Sequence, residues 1–196
     1  MLIIKDISKS FAIKVINNLS YSFVEGNLYK VNGKNGSGKT TLLKIMKGVY
    51  THDSGSINFK APLKSIHELS YIDNNARSFI QRLTVKENLR YFCSLNSIPS
   101  FKNSLSLIEY FDCQNLLHKK FSELSSGQMQ LISFIRGVSF KPKVLLLDEI
   151  FSPLDINVKA KVKDFINKYV SKNNAIAIIT SHQDEFKDVE IINLDK

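Results

Sequence analysis

Eight consecutive residues carry the clearest chemistry in the chain. Gly33-Lys34-Asn35-Gly36-Ser37-Gly38-Lys39-Thr40 fits G-x-x-x-x-G-K-[ST], after a short apolar run and before an amphipathic one. Glycines at 33, 36 and 38 let the backbone curl until its N–H groups converge on phosphate oxygens. A helix starting behind such a turn adds about half a positive charge at its N-terminus. Lys39 can reach the outer phosphates, and the Thr40 hydroxyl suits Mg²⁺. With Lys34, Asn35, Ser37 and Thr41, these residues form a candidate nucleotide cradle. The loop alone does not choose between a kinase, a GTPase, a motor and a transporter.

A second group lies downstream. Val144-Leu145-Leu146-Leu147 ends in Asp148 and Glu149. A buried strand of this kind places both acids at its carboxyl end, beside a phosphate loop in an open parallel sheet. Asp148 would hold Mg²⁺, directly or through water, and Glu149 would take a proton from an attacking water.

The elements that must position these residues follow from periodicity. Segments 2–7, 13–23, 28–32, 56–60 and 69–73 read as strands, and 39–48 reads as a helix with Leu42, Leu43, Ile45, Met46 and Val49 on one side. Thr84 and Glu87 form a capping box that opens another helix. Helical patterns continue over 100–111, 127–140 and 158–170, while 144–147 and 175–180 are continuous apolar runs of strand length, suited to a sheet covered on both faces. Strands alternate with helices at both ends and a helical block interrupts the middle, so the expected class is α/β with a helical subdomain.

Leu124-Ser125-Ser126-Gly127-Gln128 precedes one of these helices, about 20 residues before Asp148. In this order and spacing the chain resembles the nucleotide-binding domain of ATP-binding-cassette (ABC) transporters over essentially its whole length. The usual signature is L-S-G-G-Q, and Ser126 replaces its first glycine. The resemblance implies a P-loop NTPase (RecA-like) core at 1–75 and 124–196, with a mainly parallel sheet, a small antiparallel β subdomain and an inserted helical subdomain at 76–123. It implies ATP and Mg²⁺ as ligands, with Glu149 and His182 catalytic and Phe11 stacking on adenine, where tyrosine is usual. Ser125, Ser126, Gly127 and Gln128 would contact ATP held by a second subunit, and Asp155 would lie in the D-loop. Where the family places a metal-touching glutamine the chain has Asn74-Asn75. Counting forward from Tyr71 favours Asn74, counting back from Leu83-Thr84 favours Asn75, and we assign the role to Asn74.

Composition bounds the rest. The 196 residues are 43% hydrophobic and 23% charged, which suits one globular domain. No apolar run approaches the roughly 18–20 residues of a membrane span, and Met1–Asp6 lacks the pattern of a signal peptide. The two cysteines, Cys93 and Cys113, have no metal-ligand spacing and read as residues of a reducing compartment. The net charge of +9 suits phosphate ligands, nucleic acid or an anionic surface.

The expected function is the ATPase subunit of an ABC transporter, peripheral at the cytoplasmic face of the membrane. Its partners would be a second cassette, expected to be another copy, and a separate transmembrane permease, with no nucleic acid. The chain is expected to end just after the strand at 190–194, with no appended regulatory domain. Compact exporter subunits look most alike. A soluble cassette acting on ribosomes or nucleic acid would fit the charge, and a scaffold for cofactor assembly would use the same parts. A single cassette without sustained heptads favours the transporter reading. Phe79 and Ile80, between polar neighbours on the segment 74–83, read either as exposed residues that help form the permease docking surface, the reading we prefer, or as core residues of the helical subdomain.

Overall fold

Strands without polar interruption need cover on both faces, and β6 (Val144–Asp148) and β7 (Ile176–Thr180) are buried at every residue. Parity divides their side chains between two cores. Val144, Leu146, Ile176 and Ile178 enter one, and Leu145, Leu147, Ala177 and Ile179 enter the other. With β3 (Leu28–Asn32), β5 (Leu69–Asp73) and β8 (Glu190–Asn193) they form a five-stranded sheet in the order β5-β6-β7-β3-β8, every pair parallel. The computed structural model describes residues 1–59, 68–75, 78–95, 101–181, 186 and 189–194.

The first core joins one face of this sheet to α1 (Lys39–Lys47) and to an antiparallel sheet of β1 (Leu2–Ser10), β2 (Lys14–Phe23) and β4 (Ser54–Phe59), in the order β2-β1-β4. Phe23, Tyr29, Leu42 and Leu43 are fully buried there. The second core joins the opposite face to α2 (Val85–Leu95), α3 (Phe101–Tyr110), α4 (Ser126–Ser139) and α5 (Ile156–Asn173). The parallel sheet, the small antiparallel sheet and the inserted helices are those expected from the sequence. Both cysteines are free and buried, and burial pushes the Cys113 thiol up to about 11, so it stays protonated at neutral pH. Among the described residues no helix is long and apolar enough to cross a membrane.

Boundaries move where side chains extend an element. β1 continues past residue 7 because the Asp53 carboxylate accepts from Lys9 Nζ and Ser10 N, both at 2.7 Å. β4 correspondingly starts at Ser54, paired with Ser8, two residues before the expected 56. α5 starts at Ile156 rather than 158, since Asp155 caps it and accepts from the N–H groups of Asn157 and Val158 at 3.0 Å.

Phe79 corrects an expectation. It is buried, not exposed, and its ring stacks on Phe121 at 4.2 Å with 2° between the planes. The Arg136 guanidinium lies 4.5 Å from the centroids of both Phe79 and Phe92 and donates to Ser78 Oγ at 2.7 Å. Burial pushes that guanidinium down to about 10, with Asp73 opposing, so it remains charged at neutral pH. Ser78 thus serves a clamp between α4 and the segment after β5, while Ile80, 40% exposed, stays at the surface. Phe79→Ala should lower unfolding free energy in urea by about 3–5 kcal/mol; a change within about 0.5 kcal/mol, normal for an exposed site, would contradict this packing.

Candidate functional site

The helix behind the glycine turn differs from its neighbours at the N-terminus. α2 is capped by Thr84, α4 by Ser125 and α5 by Asp155. α1 has Gly38 at the cap position, no side-chain cap and no acid in its first turn. Its leading N–H groups and positive dipole end are left for an anion. They border a cavity of about 310 Å³ lined by Val15, Gly36, Gly38, Lys39, Thr40 and Glu149, among others. Gly38 is left-handed at φ 98, and a Cβ there would come within 2.7 Å of Val15 Cγ1, so the turn and the strand β2 close up only around glycine. An adjoining cavity of about 490 Å³ also touches Val15 and Gly36 and extends toward Lys14, Lys34 and Asn193.

Lys39 is buried along its stem, and its ammonium group donates to the carbonyls of Gly33 at 2.6 Å and Lys34 at 3.0 Å. Both acceptors belong to the same turn, so the positive charge lies among the loop's own N–H donors.

The carboxyl ends of the strands supply the acidic side. Parity puts Tyr71, Asp148 and Thr180 on the α1 face of the sheet, where Thr40 begins the helix. Asp148 is 5% exposed and accepts three hydroxyl donors: Thr180 Oγ1 at 2.6 Å and Thr40 Oγ1 at 3.0 Å on Oδ1, and Tyr71 OH at 2.8 Å on Oδ2. Burial, and then the charge of Asp148, push the Tyr71 phenol above its ordinary range, so it remains a donor at any physiological pH. Glu149 leaves the strand in the left-handed region at φ 54, half-buried, and reaches the cavity that holds Lys39 and Thr40.

The structure therefore gathers Asn35, Gly36, Gly38, Lys39, Thr40, Thr41 and Glu149 around one cavity, with Lys34 and Ser37 on the adjoining one and Asp148 joined through Thr40. Other sequence candidates lie elsewhere. Ser125, Ser126, Gly127 and Gln128 line neither cavity. Ser125 and Gln128 form a reciprocal cap, Gln128 N donating to Ser125 Oγ at 3.3 Å and Ser125 N to Gln128 Oε1 at 3.1 Å. Gly127 sits against Pro153, whose carbonyl oxygen would be 2.8 Å from an added Cβ. Phe11 also lines neither cavity; it is 55% exposed and meets Tyr50 edge-on at 5.8 Å. Asn74 is exposed, and Asn75 N donates to Asp73 Oδ1 at 3.1 Å. His182 lies outside the described residues.

Three side chains at the site had no motif to mark them. Tyr71 and Thr180 bind Asp148, and Gln130 Nε2 donates to the Asp73 carbonyl at 3.1 Å, tying the helix after the signature to the segment holding Asn74. A polar residue at the end of an apolar strand, with the same parity as Asp148, was the available signal for Thr180.

The ABC transporter family model matches residues 16–152. The chain is 34% identical to the probable iron export ATP-binding protein FetA of Escherichia coli (strain K12), over 90% of this chain and 82% of that protein. It is 34% identical to the zinc import ATP-binding protein ZnuC of Anaplasma phagocytophilum (strain HZ), over 86% of this chain and 68% of that protein. Among solved structures, a dimeric bacterial ABC transporter cassette superposes with a TM-score of 0.84 at 17% identity, covering 99% of this chain and 95% of that one.

Lys39→Ala removes the ammonium group held by the turn's carbonyls and leaves Lys34 and the backbone donors. A charge-assisted hydrogen bond contributes about 1.5–3 kcal/mol, so ATP affinity measured by calorimetry should fall about 10- to 100-fold while adenosine affinity holds. Equal losses for both ligands would contradict the assignment.

Proposed function

The chain belongs to the ABC transporter family, and from that premise we propose that it powers transport through a separate membrane-spanning partner by closing on a second cassette around ATP. It is an ATPase whose hydrolysis of ATP is coupled to transport. The observation that carries the site assignment is the uncapped N-terminus of α1, which opens on the one cavity that also receives Lys39 and Glu149.

On this reading the turn 33–41 holds the phosphates through its N–H groups, and Lys39 exchanges its two loop carbonyls for phosphate oxygens. Val15 lines the nucleoside side, and Phe11, which stands outside both cavities, would stack on the adenine. Glu149 orients a water whose oxygen attacks the γ-phosphorus. The bond from that phosphorus to the β–γ bridging oxygen breaks, ADP leaves with the electron pair, and the water's proton goes to Glu149. His182 would add a contact to the γ-phosphate.

The donor set fits Mg²⁺. Asp148 and Thr40 offer hard oxygen atoms, with Asn74 the third candidate, and among the described residues no group of three or more His, Cys, Asp or Glu forms a closed cage. Mg²⁺ keeps water and phosphate oxygens as ligands; held by Asp148 and Thr40, it would neutralise charge on the phosphates.

Ser125, Ser126, Gly127 and Gln128 stand apart from this cavity, which supports their acting on a nucleotide held by another copy, with Asp155 beside them; a dimeric cassette shares the fold. ATP then joins the two copies and hydrolysis releases them, a switch set by the differential affinity of the closed and open forms. The helical block 76–123, inserted in a nucleotide core at 1–75 and 124–196, would carry the permease docking surface. Ile80, Tyr91 and Leu95 support this, being exposed apolar residues of that block. The subunit would then sit at the cytoplasmic face of the membrane as a peripheral component, with no part for nucleic acid.

Glu149→Gln tests the base. A positioned base contributes about 10²–10⁴-fold, so turnover should fall by that factor while ATP binding persists and ATP shifts the variant to a dimer on size exclusion. Hydrolysis at the parent rate would remove Glu149 from the role.

A further inference from the structure

We infer that Thr180 is a positioning residue for ATP hydrolysis: its hydroxyl is a strut that holds Glu149 in the conformation from which it reaches the nucleotide cavity. This rests on the reading of Glu149 as the base.

The sheet order makes such a strut necessary. β7 lies between β6, which ends at Asp148, and β3, which leads into the phosphate loop. Asp148 pairs in register with Thr180, the last residue of β7. Residues 176 and 178 point into the α1-side core, so Thr180 points to the same side, level with the two acids. It is fully buried.

Its oxygen does two things at once. Thr180 Oγ1 donates to Asp148 Oδ1 at 2.6 Å and accepts from Glu149 N at 3.1 Å. The Thr180 carbonyl accepts from the same Glu149 N–H, also at 3.1 Å. Glu149 is the residue that pays for this arrangement in backbone strain, since its φ of 54 is unfavourable for a side chain with a Cβ. Such a conformation persists only where surroundings over-determine it, and the three-centre contact from one N–H to both oxygens of Thr180 does so. The same hydroxyl is one of the three that hold the Asp148 carboxylate, so a single side chain touches both the acid that borders Thr40 and the acid that enters the cavity.

A serine would supply the hydroxyl without the methyl group. A valine would supply the shape without the hydroxyl, leaving Glu149 N the Thr180 carbonyl but not the hydroxyl. A misplacement of about 1 Å at a reacting group costs on the order of 10²-fold in rate.

The test is a cycle of four proteins, the parent, Thr180→Val, Glu149→Gln and the double variant, with Thr180→Ser as the rescue. Single-turnover hydrolysis of MgATP and its binding affinity are measured for each, with thermal melts for folding. Expected results are a loss of about 10- to 100-fold in rate for Thr180→Val, ATP affinity within about twofold of the parent, and a rate near the parent's for Thr180→Ser. In the Glu149→Gln background the valine should cost much less than it does beside Glu149, because the base that Thr180 positions is already disabled and only the bond to Asp148 remains to be lost. If Thr180→Val does not melt cooperatively, Thr180→Ala provides the same loss of hydroxyl for the cycle. The inference is overturned if the hydroxyl-free variant keeps the parent rate, if its loss recurs in full beside Glu149→Gln, or if ATP affinity falls in proportion to rate. Hydrolysis at the parent rate by Glu149→Gln alone overturns the base assignment and this inference with it, whereas a silent Thr180→Val beside an inactive Glu149→Gln overturns this inference only.

Discussion

A buried carboxylate organises the nucleotide end of this protein. Removing a charge from water costs several kcal/mol unless hydrogen bonds replace the lost hydration. Asp148 meets that demand with hydroxyl donors from three elements: Thr40 at the start of α1, Tyr71 on β5 and Thr180 on β7. Each donor fixes its own element relative to β6. The phosphate turn, two neighbouring strands and the departure of the chain into Glu149 are therefore set by one side chain, and parity within a sheet covered on both faces makes the convergence possible.

The segment 125–128, proposed to act on a nucleotide held by another copy, is separated from this node. The turn 125–128 is self-satisfied by its reciprocal cap, and Gly127 packs on Pro153, next to the Asp155 cap of α5. Two links run from α4 back toward the segment after β5, Gln130 to the Asp73 carbonyl and Arg136 to Ser78, with Arg136 also against Phe79. A force on the start of α4 would thus reach the segment around Asn74 through direct hydrogen bonds. That is the route by which closure on a second copy would be felt at the helical block.

Much of this was legible in the sequence, for identifiable reasons. The phosphate turn is local: its glycines, lysine and threonine are contiguous, and their spacing specifies backbone geometry directly. The ends of α2 and α4 are local too, being written in Thr84 with Glu87 and in Ser125 with Gln128. Tyr71, Thr180 and Gln130 act across elements, and their partners are set by strand order and parity, which no contiguous motif records. Phe79 failed for a related reason. Polar neighbours suggested exposure, but Ser78 is the hydrogen-bond partner of a half-buried arginine, and Phe79 itself completes an aromatic stack with Phe121.

Asp148 holds hydroxyls in this structure, and we propose that it exchanges part of that shell for Mg²⁺ when ATP enters. The most direct measurement is the affinity of ATP with and without Mg²⁺, by calorimetry, for the parent and for Asp148→Asn. The asparagine keeps the size and loses the charge. Mg²⁺ should tighten ATP binding to the parent and lose most of that effect in the variant, while metal-free ATP binding holds or strengthens, because a negative charge has left the neighbourhood of the phosphates. An Asp148→Asn variant that keeps the parent's full dependence on Mg²⁺ would contradict the role given to Asp148.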